Sequence, residues 1–170
     1  FNLGNTLRAL GRLEEAETSY KQVITLKPEL AEAHSNLGNT LKALGRLEEA
    51  ETSYKQAITL KPELAEAHFN LGNTLHEMSR LEEAVATYKQ AITLKPDLPK
   101  AHGNLGNTLK ALGRVEEAVS FYQKAFSIRT GIRPVGEGLL APATTSVFIE
   151  LTNKCNFHCT FCPSDSQKRL

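Results

Sequence analysis

The chain has 170 residues, with 20 basic against 19 acidic side chains, three cysteines and one methionine. A net charge of +1 supplies no field to attract a polyanion, so nucleic acid is not an expected partner. No apolar run approaches the ~20 residues that a membrane-spanning helix needs, so no membrane association is expected. The sequence opens on Phe1 and its sole methionine is Met78, so it is expected to be an excerpt of a longer chain, silent about any targeting signal.

Self-comparison reveals a period of 34 residues. The segment from Ala31 to Leu41 recurs from Ala65 to Leu75 and, less faithfully, from Pro99 to Leu109. Phe1 to Leu30 is the same unit without its first four residues, giving units at 1–30, 31–64, 65–98 and 99–132. Each unit carries two helical patterns. In the second unit the first spans Ala33–Leu44, with Leu37, Leu41 and Leu44 on one face. The second spans Leu47–Leu60, with Leu47, Ala50, Tyr54, Ala57 and Ile58 on one face. Gly45 separates the two, and Lys61-Pro62 ends the second, because proline drives the preceding residue out of the helical region. Glu48 and Glu49 at its start and Lys61 at its end suit the helix dipole.

These residues resemble the tetratricopeptide repeat (TPR). Its signature positions are filled in the second unit by Leu37, Gly38, Ala50, Tyr54, Ala57 and Pro62, and in the third by Leu71, Gly72, Ala84, Tyr88, Ala91 and Pro96. His34, His68 and His102 stand where the family usually has an aromatic residue. The resemblance covers residues 1–129 and implies an all-α, right-handed solenoid of helical hairpins whose first helices build a concave face. Small Gly38 and Ala50 let two helices approach, and Tyr54 fills the gap that remains. One unit cannot bury its apolar face alone; stacked units form a continuous core. In-register histidines two helix widths apart, each about 8–10 Å, cannot share a metal ion whose ligands lie at about 2 Å, so they are read as packing residues.

Asparagine recurs on every first helix, at Asn2 and Asn5, Asn36 and Asn39, Asn70 and Asn73, Asn104 and Asn107. Spacing of three puts each pair on one helix face, and asparagine is a mediocre helix former, so the eight need a reason. A carboxamide donates and accepts at once, which suits an extended peptide backbone irrespective of its side chains. In peptide-binding modules of the resembling family, asparagines at these two positions face the groove. The other reading is that they bond between adjacent repeats. Selectivity is expected at the varying positions Phe1, Ser35, Phe69 and Gly103, and Arg8, Lys42, His76 and Lys110.

The repeat pattern fades at Thr130, which replaces the proline, and residues 130–144 read as a Gly/Pro-rich linker. From Thr145 the run Val147-Phe148-Ile149-Glu150-Leu151 reads as a strand. It leads into Cys155, Cys159 and Cys162, spaced CxxxCxxC. An odd number of clustered cysteines cannot form a disulfide framework and favours a reducing compartment, so a cytoplasmic location is expected. Three soft ligands suit zinc or an iron–sulfur cluster, and the residues alone leave both open.

The strand, Thr152-Asn153, the cysteine spacing, Phe161 and Pro163 resemble the start of the radical S-adenosylmethionine (radical SAM) enzymes, in the branch that carries further cluster domains. The resemblance implies that residues 145–170 are the truncated first strand and cysteine loop of an α/β barrel. It implies a 4Fe–4S cluster held by the three cysteines, S-adenosylmethionine on the fourth iron with Phe161 beside its adenine, and a 5′-deoxyadenosyl radical as product. An α/β barrel needs on the order of 200 residues, so the sequence as it stands is expected to be inactive alone. The competing expectation is a TPR interaction scaffold, binding protein or peptide in its groove, with a structural zinc site formed by the cysteines and His158.

Overall fold

A computed structural model describes residues 1–132. The linker beyond Ile132, the expected strand, Cys155, Cys159, Cys162 and Phe161 lie outside the described residues. Among the described residues the chain forms four helical hairpins: α1 (Asn2–Ala9) with α2 (Leu13–Leu26), α3 (Ala31–Ala43) with α4 (Leu47–Leu60), α5 (Ala65–Glu77) with α6 (Leu81–Leu94), and α7 (Pro99–Ala111) with α8 (Val115–Thr130). The first helix of the second unit thus begins at Ala31 rather than Ala33, because Leu30 is still extended and its carbonyl already accepts from Ala33 N–H at 2.9 Å. Thr130, assigned to the linker by composition, is the last residue of α8.

Each hairpin turn is closed in the same way. Gly45 takes φ +77°, donating its N–H to the Lys42 carbonyl while Arg46 N–H reaches the Leu41 carbonyl, both at 2.9 Å. This pair of bonds satisfies carbonyls that the end of a helix otherwise leaves unmet. Gly11 and Gly113 repeat the conformation, and Ser79 adopts it without glycine's freedom, at φ +61°. At the other end of the first three hairpins a lysine precedes a proline and leaves the helix, as Lys61 does before Pro62, whereas α8 ends on Gly131 at φ +72°.

The hairpins are held by a glycine–tyrosine contact. A methyl group built on Gly38 would sit 2.7 Å from the Tyr54 ring, and the same holds for Gly72 with Tyr88 and Gly106 with Tyr122. Tyr20, Tyr54 and Tyr88 are fully buried, in a core with Leu37, Leu41, Leu71, Leu75, Leu105 and Leu109 that runs through every repeat. The first helices α3, α5 and α7 each pack on the second helix of the preceding repeat, and first helices also meet one another, α3 with α5 and α5 with α7. The inner side is therefore lined by α1, α3, α5 and α7.

Candidate functional site

On this inner side the asparagines form a ladder. The buried Tyr54 donates its hydroxyl to Asn39 Oδ1 at 2.8 Å, and the same oxygen accepts from Asn70 Nδ2 of the next repeat at 2.9 Å. Tyr88 and Asn104 do the same for Asn73 Oδ1, at 2.7 Å each. Tyr20 and Asn36 do so for Asn5, at 2.6 and 3.1 Å. Asn107 accepts from Tyr122 at 2.8 Å. Burial pushes the Tyr54 and Tyr88 phenols above their ordinary range, so both remain donors at every physiological pH.

The consequence is a fixed amide orientation. Because the oxygens of Asn5, Asn39 and Asn73 each accept two bonds, their Nδ2 groups are left pointing away from the tyrosine and carry no partner among the described residues. Asn36, Asn70 and Asn104 spend one N–H on the ladder and retain their oxygens. The structure thus contains the inter-repeat bonds and, on other atoms of the same amides, unused donors and acceptors. Asn2 is exposed and its side chain takes no part in the ladder.

Two concavities lie over the ladder. One, of about 500 Å³, is lined by Arg8, Asn39, Lys42, Glu66, Asn70 and Glu77. The other, of about 330 Å³, includes Asn73, His76, Asn104 and Asn107. Of the varying positions, Arg8, Lys42 and His76 therefore do line the groove. The series of Ser35 and Phe69 does not lie open in it: Ser35 is buried, and Phe69 packs its ring against Tyr88 at a centroid distance of 6.1 Å. Spacing put both series on the groove face, and it did not show that the half-buried Phe69 contacts the second helix of its own repeat. A groove contact that single residues could not reveal is Lys42 with Glu77, 2.7 Å apart and joining α3 to α5.

The histidines are structural and specific in their bonding. His34, His68 and His102 place Nε2 at 2.9, 2.9 and 2.8 Å from the carbonyls of Pro28, Pro62 and Pro96, latching α3, α5 and α7 to the loops before them. No group of three or more metal-ligating side chains occurs among the described residues, and none of their helices is long and apolar enough to cross a membrane.

Comparison with known proteins follows the repeats. A family model described as TPR repeat matches residues 4–45, 38–79 and 72–113, and a second, described as Tetratricopeptide repeat, matches 99–130. No curated protein matches the chain significantly. Among solved structures, a crystal structure of MamA is similar at 27% identity and TM-score 0.72, over 78% of this chain and 77% of that one. MamA from Desulfovibrio magneticus RS-1 shares the fold at 22% identity and TM-score 0.71, over 76% and 73%. The first TPR of Spaghetti (RPAP3), solved with the HSP90 peptide SRMEEVD, shares it at 23% identity and TM-score 0.65, over 66% and 89%.

Proposed function

Because the chain belongs to the tetratricopeptide repeat family, we propose that it is a protein-interaction module whose groove holds an extended polypeptide by its backbone. The observation that carries this reading is the ladder. Tyrosine hydroxyls and neighbouring amides fix the asparagines in advance, leaving Nδ2 donors and, one turn away, Oδ1 acceptors along the inner helices. An extended strand presents carbonyls and N–H groups that match such an array, and amides that are already fixed lose little freedom on binding. That a structurally similar TPR, in RPAP3, was solved with a peptide supports the same use of the fold.

Alanine is a poor probe of the ladder, because removing Asn39 also strands the buried Tyr54 hydroxyl. Asn39→Asp and Asn73→Asp keep the acceptor oxygen and remove the outward donor. A labelled peptide that binds the unaltered chain should bind these variants at least about tenfold more weakly, for the loss of one to two hydrogen bonds apiece. Unchanged affinity would mean that the asparagines serve only the junctions between repeats.

A second reading concerns the cysteine segment and rests on its sequence. Cys155, Cys159 and Cys162, with Phe161, have the spacing that would hold a 4Fe–4S cluster and S-adenosylmethionine in a radical SAM enzyme, the repeats then serving to recruit a polypeptide substrate in the cytoplasm. When bound, that cluster supplies the electron that cleaves the sulfonium; the thiolates hold it. Anaerobic reconstitution with iron and sulfide should give a coloured protein with stoichiometric acid-labile sulfide, lost on Cys159→Ala. A colourless protein that retains only zinc would identify a structural site instead.

A further inference from the structure

The 34-residue repetition makes charged side chains on the groove comparable from one repeat to the next, and two of them lack the partner that their counterpart has. Lys42 on α3 pairs with Glu77 on α5, 2.7 Å away. The counterpart of Lys42 one repeat earlier is Arg8 on α1, and where Lys42 finds Glu77, Arg8 finds Ala43, a methyl group. Glu32 accepts from Lys61 Nζ at 3.0 Å. The counterparts one repeat later are Glu66 and Lys95, and neither makes an ion pair among the described residues. Arg8 and Glu66 nevertheless line the same 500 Å³ concavity, with Asn39 and Asn70 of the ladder between them.

The two do not satisfy each other: no ion pair joins them among the described residues. They stand on α1 and α5 with α3 between, helices whose axes lie two packing distances, about 16–20 Å, apart. Each therefore presents its own charge to whatever enters. The paired Lys42 and Glu77 cancel and add no net sign. We propose that the ligand of this groove carries charges of both signs, an acidic side chain that seats at Arg8 and a basic side chain that seats at Glu66. At ~3.3 Å per residue, an extended chain crossing from α1 to α5 covers that axis spacing in about five or six residues. The inference rests on the groove being a peptide site and adds the side-chain chemistry that backbone recognition by asparagine leaves open.

The test uses the full chain and four fluorescein-labelled 12-residue peptides on a Ser/Thr/Ala background, acetylated and amidated so that no terminal charge competes. One is neutral, one carries a glutamate, one carries a lysine, and one carries both, five residues apart. Fluorescence anisotropy at low salt should rank the mixed peptide tightest, with each charge improving affinity about threefold, as expected of a partly exposed ion pair. Arg8→Gln should abolish the gain from glutamate and leave the gain from lysine; Glu66→Gln should do the reverse. Equal affinity for all four peptides, or variants that weaken all four alike, would overturn the inference. If the four bind equally yet lose affinity with Asn39→Asp, the peptide site stands and its charge selectivity falls. If none binds, both fall.

Discussion

The smallest unit of this structure that matters is one asparagine oxygen taking two hydrogen bonds. Asn39 Oδ1 is held by Tyr54 of its own repeat and Asn70 of the next, so the direction of its N–H groups is decided before any ligand arrives. The tyrosine is in turn placed by a glycine: a methyl on Gly72 would lie 2.7 Å from the Tyr88 ring. Gly72→Ala should therefore cost about 1–3 kcal/mol in urea unfolding, as overpacking generally does. Ser79→Gly should act in the opposite direction. Ser79 sits at φ +61°, where Gly11, Gly45 and Gly113 stand in the other repeats, and relieving its Cβ should stabilise by about 1 kcal/mol. A small residue sixteen positions before a tyrosine, repeated four times, is readable in the sequence as a close helix contact. The orientation of an amide is not, since residue type fixes which atoms exist but not which one the neighbouring repeat consumes. Phe69 illustrates the same limit: spacing assigned it to the groove face and could not show that its ring packs on Tyr88.

Between helices, the junctions differ in a way that gives them different responses to pH. Glu17 bonds Lys21 of its own helix and Arg46 of the next repeat; Glu51 bonds Lys55 and, at 2.6 Å, Arg80. The hydrogen bond from Lys21, helped by Arg46, holds the nearly buried Glu17 carboxyl below its usual range. For Glu51 burial pushes upward, but Lys55 and Arg80 outweigh it and the carboxyl again ends low. A carboxyl lowered in the folded state stabilises above the ordinary carboxylate range, and that contribution disappears as pH falls through the folded value. Arg80→Gln should thus lower stability by about 1 kcal/mol at neutral pH. The difference from the unaltered chain should shrink on acidification below pH ~4, as followed by urea denaturation at several pH values. Arg114→Gln should leave the last junction unaffected, because Val85 occupies the position of Glu51 and, among the described residues, Arg114 pairs with Glu117 of its own helix alone. The glutamates and arginines were visible in the sequence as repeated letters. That they bridge neighbouring repeats, 29 residues apart, becomes apparent only once the stacking is known.

At the scale of the whole described array, four hairpins stacked through one core make a single row of inner helices, and function belongs to the row rather than to any one repeat. The repeat period, the pairing of helices and the side that faces inward all follow from hydrophobic spacing and from glycine and proline punctuation, which is why the sequence revealed them. The groove's charge pattern did not follow, because it depends on departures from the repeat, Ala43 against Glu77 in particular, whose meaning appears only when α1, α3 and α5 lie side by side. The central claim is that the ladder holds a peptide backbone. It is tested most directly by the anisotropy of an extended, uncharged peptide titrated with the unaltered chain and with Asn39→Asp/Asn73→Asp, circular dichroism confirming equal helix content. Saturable binding by the unaltered chain and a loss of at least about tenfold in the double variant is the predicted result; equal binding by the two, or by neither, would contradict it.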